Sequence, residues 1–297
     1  MNSRAYIYLS VTTLFWGANS VAGKLAVGHV SPMVLTTFRW IVALLVILAF
    51  MLPQVKRDWP KIRRHWLQLL LYGVFGFTAF NALLYTAVGY TSAINAVIEQ
   101  AGIPMLIFVF NFLLFRIQAS LAQVLGFTVT LVGVLLTAAH GEFSALAELQ
   151  FNFGDALMLV ACIVYAGYTV SLRWKPELHW QSFIAAPAFG ALLSAIPLFI
   201  WELSRGAAIF PDATGWGVVL YAGIFPSLLS QVLYVRGVEM IGANRAGLFI
   251  NAIPVFGTIL SVLLLGETIQ LFHVLALLLV LGGIAVAEWG RPKEKNG

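Results

Sequence analysis

The chain has 297 residues, of which 61% are hydrophobic and only 10% charged, with a formal net charge of +5. An ordinary soluble domain is about 25% charged, so the polar residues here cannot cover a water-facing globule, and lipid must solvate most of the chain. The basic excess lies in short loops between apolar runs, which excludes a nucleic-acid partner, and the lone Cys162 excludes an intramolecular disulfide and a cysteine metal site.

A membrane-spanning helix needs about 20 mainly apolar residues. In chain order the sequence predicts ten spans, at 5–27, 32–52, 66–88, 91–113, 120–139, 153–173, 181–202, 214–236, 242–264 and 270–289. Helix is the expected form, because a barrel would show alternating runs of about ten residues. No cleavable leader is expected: the first run starts after Arg4 and has no clear A-x-A site.

Polar residues within a span need a reason. Span one carries Trp16 beside Gly17 and Asn19, with Lys24 expected to snorkel to the interface. Arg39 lies deeper in span two, where a structural ion pair would explain it. In span three Thr78, Asn81 and Tyr85 share one helical face, and in span eight Ser227, Gln231 and Tyr234 do the same, with Ser230 beside them. Such stripes suit a cavity that hydrogen-bonds a polar solute, although interhelical contacts of about 0.6 kcal/mol each would also use them. Span four carries Asn95 and Glu99 one turn apart, with Gln100 adjacent. Glu99, read as the one acid well inside a span, is a candidate to hold a substrate ammonium or to carry a proton. Span six adds Tyr165 and Tyr168, and span nine adds Asn244 and Asn251. Pro104 and Pro254 are expected to kink spans four and nine, as hinges.

With the amino terminus inside, the inner loops collect Lys56, Arg57, Lys61, Arg63, Arg64, Arg116, Arg173, Lys175 and Arg236, and the carboxy-terminal tail adds Arg291, Lys293 and Lys295. The outer loops hold little that is basic besides Arg205. Both termini are therefore predicted cytoplasmic.

A shift of 150 residues pairs Pro104 with Pro254, Gly17 with Gly167, Gly73 with Gly223 and Gly133 with Gly283. A shift of 149 pairs Tyr85 with Tyr234. Two halves of five spans each, residues 1–140 and 150–297, must then be inverted relative to each other, an arrangement associated with transporters. The predicted fold class is an all-α integral membrane protein, ten helices in two inverted five-helix repeats around a central cavity.

The run Phe15-Trp16-Gly17-Ala18-Asn19, the segment Thr37-Phe38-Arg39-Trp40, Leu84-Tyr85-Thr86-Ala87 leading into Thr91-Ser92-Ala93-Ile94-Asn95-Ala96, Pro104, Ala243-Asn244-Arg245-Ala246 with Pro254, and Gly266-Glu267 occur in an order that resembles the drug/metabolite transporter (DMT) superfamily, in its ten-helix EamA-type branch. Within that branch the nearest resemblance is to YddG-type exporters of aromatic amino acids. The resemblance implies export of small metabolites across a bacterial-type inner membrane by alternating access. Substrate-contacting positions are expected at Trp16, Asn19, Thr78, Asn81, Tyr85, Asn95, Glu99, Tyr165, Ser227, Ser230, Gln231, Tyr234, Asn244 and Asn251. The sequence offers no metal-ligand cluster, nucleophile elbow or nucleotide-binding loop. The expectation is thus a transporter, working as a monomer without cofactor or metal, of neutral or aromatic amino acids. Another small solute (drug, sugar or other metabolite) is the alternative, and a membrane-embedded enzyme, a channel or a scaffold are weaker ones. Proton coupling and facilitated diffusion both stay open.

Overall fold

The computed structural model describes residues 3–116, 120–141, 152–241 and 249–289, and all regular structure among them is helical. The chain runs through α1 (Ser3–Leu25), α2 (Pro32–Arg64), α3 (Trp66–Tyr72), α4 (Phe80–Ala87), α5 (Ala93–Gln100), α6 (Ile103–Phe115), α7 (Leu121–Ala138), α8 (Phe153–Ser171), α9 (Trp180–Ser204), α10 (Ala213–Ile224), α11 (Ser230–Ile241), α12 (Ile253–Leu265) and α13 (Leu271–Trp289). Local sequence sets several of these starts. Ser92 accepts the Asn95 amide at 3.0 Å, Asn152 the Gly154 amide at 2.7 Å and Asp212 the Gly215 amide at 2.8 Å, each satisfying an amide that its helix leaves free.

Seven helical stretches among the described residues are long and apolar enough to cross a membrane. The outer surface of the bundle is apolar: Phe50 is 76% exposed, Leu121 75% and Leu263 72%, a surface that only lipid would cover without cost. The chain is therefore an integral membrane protein. Helix α1 falls outside the seven because Thr12, Thr13, Asn19 and Ser20 interrupt it, and all four are buried against other helices.

Three features depart from the sequence reading. Helix α2 continues through Pro53 and Pro60 to Arg64, so most of the predicted basic loop is helical and carries its cations on a helical extension. The expected kinks in spans four and nine are complete interruptions. Helix α5 ends at Gln100, residues 101–102 form a turn, and Pro104 lies in the first turn of α6; residues 251–252 form the matching turn, and Pro254 lies in the first turn of α12. In a first turn a proline removes no hydrogen bond the helix needs, so the proline fixes a restart after the break. Third, π-helical segments join α3 to α4 (Gly73–Ala79) and α10 to α11 (Phe225–Leu229). Each shifts the register of the side chains beyond it.

Packing is close where residues are small. A Cβ on Gly17 of α1 would lie 2.8 Å from the Gly257 amide nitrogen of α12, so only glycine fits that crossing. Helices α7 and α13 meet reciprocally: Gly133 lies against Ala276 and Val280, and Gly126 against Gly283 and Ala287. One end of the bundle is tied by side chains. Lys24 donates to the Val88 and Thr91 carbonyls at 2.8 and 2.7 Å, so it caps the end of α4. Glu202 accepts from the Ser31 hydroxyl at 2.5 Å and the Val34 amide at 3.1 Å, and Glu267 accepts the Ala93 and Ile94 amides at 2.8 and 3.0 Å. Two carboxylates thus hold the amino ends of α2 and α5, where the helix dipole favours them.

Candidate functional site

A cavity of about 420 Å³ lies at the two helix breaks and the two π segments. Its lining draws on both halves of the chain: Trp16, Asn19, Arg39, Asn81, Gln100 and Pro104 from one, and Tyr165, Tyr168, Ser227, Gln231, Tyr234, Asn251 and Pro254 from the other. The volume falls in the range of small-molecule sites, about 300–1,000 Å³. The breaks matter because a continuous helix presents no free backbone, whereas an interrupted one can line a wet cavity inside a membrane protein.

The polar end of the cavity is built around Arg39. Its Nη1 donates to Asn81 Oδ1 at 2.5 Å, to the Tyr85 hydroxyl, and to Asn19 Oδ1 at 3.4 Å. Its Nε and Nη2 donate to the Ser227 hydroxyl at 3.0 and 2.5 Å. Tyr85 in turn donates to Asn19 Oδ1 at 2.8 Å, and Ser227 to the Ala222 carbonyl at 2.7 Å. The cluster joins α1, α2, α4 and the second π segment. The expected ion pair at Arg39 is absent among the described residues: every acceptor is neutral. Partial compensation comes from the rings of Trp40 and Tyr85, whose centroids lie 5.5 and 5.4 Å from its guanidinium carbon.

The rest of the wall is aromatic. Trp16 donates from Nε1 to the Pro226 carbonyl at 3.4 Å, and its ring lies 5.4 Å from that of Tyr234. Tyr165 packs 4.9 Å from Phe80 and 5.5 Å from Tyr168. Gln100 donates to the Ser20 hydroxyl at 2.9 Å, and no described Asp or Glu lines the cavity.

Of the residues singled out in the sequence, Trp16, Asn19, Asn81, Tyr165, Ser227, Gln231, Tyr234 and Asn251 line this cavity, as do Pro104 and Pro254. Tyr85 stands behind it, reaching it through Arg39. Thr78 points elsewhere: it donates to the Ala191 carbonyl at 2.7 Å and accepts from Ser194, joining the first π segment to α9. The extra π residue breaks the shared face expected of Thr78, Asn81 and Tyr85. Ser230 is buried, and its hydroxyl has no partner among the described residues. Asn244 lies outside the described residues.

Asn95 and Glu99 belong to a separate buried seam between α5 and α8. Asn95 Oδ1 accepts from His273 Nε2 at 3.0 Å, and its amide nitrogen donates to Thr91 at 3.2 Å; Asp155 accepts from Thr91 and meets His140 Nε2 at 2.8 Å. Glu99 is fully buried, lines no part of the cavity, and its carboxyl has no hydrogen-bond partner among the described residues. Glu99 is not the only covered acid, since Asp155 is equally buried and Glu202 only 6% exposed. Sequence reasoning missed both because each lies within a turn or two of a predicted span end, where solvation is the default. No described group of histidine, cysteine and acid side chains could hold a metal. The role of Arg39 at the head of the cavity was also missed. The signal was available in its depth within an apolar span, since a cation there needs neighbours to hold it.

Comparison with known proteins fits this geometry. The profile of the EamA-like transporter family matches the chain twice, over residues 3–139 and 152–288. The chain is 26% identical to the uncharacterized transporter YyaM of Bacillus subtilis, covering 95% of this chain and 93% of that one. It is 26% identical to the uncharacterized transporter YetK of the same organism, over 95% of this chain and 86% of the relative. A WAT1-related protein of Arabidopsis thaliana is 27% identical over 97% of this chain and 85% of its own length. A crystal structure at 20% sequence identity shares the fold with a TM-score of 0.65, covering 97% of each chain. The chain belongs to the EamA-like transporter family.

Proposed function

We propose that the protein is a secondary transporter that moves a small metabolite through the central cavity by alternating access. The observation that carries this is the placement of the cavity, at two helix breaks that correspond under the 150-residue shift and walled by residues of both halves. Ten spans in two inverted repeats, residues 1–140 and 150–297, are the architecture this reading requires. Support comes from the double family match, from the paired π segments, and from the α7–α13 contact, in which Gly126 faces Gly283 while Gly133 faces Ala276, as exchange of equivalent positions demands.

With both termini cytoplasmic in the inner membrane, the end tied by Lys24, Glu202 and Glu267 is the outer one. The cavity runs from Asn19 and Arg39 toward Thr169 and Leu172 at the inner end of α8, which makes this conformer inward-facing. The solute class is neutral or aromatic amino acids: the wall offers aromatic rings for an apolar side chain and Asn, Gln and Ser groups for polar ends. Glu99, a buried carboxyl without a partner among the described residues, is the group we assign to proton exchange.

The test uses full-length monomeric protein in liposomes loaded with a mixture of isotope-labelled amino acids, organic acids, sugars and amines, with and without a pH gradient. Efflux of amino acids above protein-free liposomes supports the reading. Efflux of another class alone would replace the substrate, and efflux of nothing would sink the transporter reading. Amino-acid flux that ignores the pH gradient and survives Glu99→Gln would remove the proton role.

A further inference from the structure

The polar end of the cavity holds a charge that no described carboxylate balances. A guanidinium has five N–H donors. In Arg39 four of them reach neutral oxygens, on Asn81, Tyr85 and Ser227, and the fifth, on Nη2, has no acceptor among the described residues. The ion pairs among the described residues, His29–Asp212 and His140–Asp155, do not involve it. Arg39 is 2% exposed and is one of the residues that line the cavity. Burying a cation costs several kcal/mol unless an anion and good hydrogen bonds offset it. Here the hydrogen bonds are present and the anion is missing.

We propose that Arg39 anchors a carboxylate of the transported solute, so that the substrate class is small organic carboxylates with an apolar or aromatic body and an optional amine. This deepens the transporter reading and rests on it. The Nε–Nη2 edge of a guanidinium is one that a carboxylate grips with two parallel hydrogen bonds. In this structure a single neutral oxygen, the Ser227 hydroxyl, accepts both donors of that edge. A carboxylate supplies two charged oxygens in its place, and displaced Ser227 keeps its own bond to the Ala222 carbonyl. The same exchange severs a direct tie between α2 and the second π segment, so binding at Arg39 loosens the contact between the two halves.

Beyond the anchor the wall consists of Trp16, Tyr165 and Tyr234, suited to an apolar body. An ammonium finds only neutral acceptors and ring faces, because no described acid lines the cavity. The carboxylate is therefore required and the amine is not. A phosphate monoester carries close to two negative charges at neutral pH, twice what one guanidinium balances, which favours the carboxylate.

The experiment measures binding to the full-length protein in lipid nanodiscs by intrinsic fluorescence, since Trp16 and Trp40 line the cavity. The probes are two matched sets: phenylalanine, 3-phenylpropionate, phenylalaninamide and phenethylamine; and leucine, 4-methylvalerate and isoamylamine. Phenyl phosphate is the second anion. At least one set is expected to show its acid forms binding about 10-fold or more tighter than its forms without a carboxylate, the usual worth of a charge-assisted hydrogen bond. Phenyl phosphate is expected to bind more weakly than 3-phenylpropionate. R39Q is expected to weaken the acids roughly 10- to 100-fold and R39K to fall between.

R39Q also strips four hydrogen bonds and can fail to fold, so Ser227→Ala provides the second variant. It frees the Nε–Nη2 edge, and acid affinity is expected to rise about 2- to 10-fold. The proposal is overturned if amides or amines bind as tightly as acids, if phenyl phosphate binds better than the carboxylates, or if Ser227→Ala weakens the acids. It is also overturned, with the transporter reading intact, if no probe acid binds and liposomes carry only solutes without a carboxylate. Absence of flux for every solute class would bring down the transporter reading as well.

Discussion

The carboxylate of Glu267 accepts the first two amides of α5, Ala93 N at 2.8 Å and Ile94 N at 3.0 Å. Helix α5 is only eight residues long and ends directly before the break that lines the cavity, and its amino end is held by Glu267 together with the Ser92 cap. Glu267→Ala removes two charge-assisted hydrogen bonds, each worth about 1.5–3 kcal/mol, and the amides regain part of that from water. The expected net loss is about 2–4 kcal/mol, or a midpoint lower by roughly 5–10 °C. Glu267→Gln keeps one acceptor and is expected to fall near half that loss. The assay is built into the chain. Cys162, its one cysteine, is fully buried and donates to the Glu99 carbonyl of α5 at 3.6 Å, so a thiol-reactive fluorophore reports displacement of α5 as well as unfolding. Labelling should also be faster in Glu267→Ala at 25 °C. An unchanged midpoint with an unchanged labelling rate would refute the claim that this carboxylate holds α5 in place.

Other substitutions separate the cavity from its supports. Gly17→Leu should prevent recovery of monodisperse protein on size exclusion, because even a Cβ there meets the α12 backbone at 2.8 Å. Tyr85→Phe should lower thermal stability by about 1–3 kcal/mol, since it takes an acceptor from buried Arg39 and a donor from Asn19, whereas solute binding at the cavity should survive Thr78→Val. Pro104→Ala should change stability by less than about 1 kcal/mol in a thermal melt, as expected for a first-turn proline; a proline kinking a continuous helix would respond more.

The sequence revealed the membrane class and most of the spans because a run of apolar residues has few other uses. It also located the helix breaks at Pro104 and Pro254, since proline and glycine restrict the backbone directly. The site was legible where a polar residue faces the cavity through an undisturbed helix, as with Asn19 in α1. It was illegible where a π segment changed the register: Thr78 and Asn81 share a face at ideal helical spacing but diverge in the structure. The partners of Arg39 come from three segments far apart in the chain, and no local pattern records such a meeting. The seam of Asn95, Asp155, His140 and His273 escaped for the same reason, since its members lie on separate segments of the chain.

The central claim is that solute passes through the cavity between the halves. Asn251→Trp places an indole in the cavity wall at the second helix break, on a residue whose side chain makes no contact that holds the bundle among the described hydrogen bonds. In liposomes carrying the labelled mixture, the wild-type protein should release a carboxylate-bearing solute, and the variant, folded by the Cys162 assay, should fall to the protein-free rate. Equal release by both proteins would contradict the account.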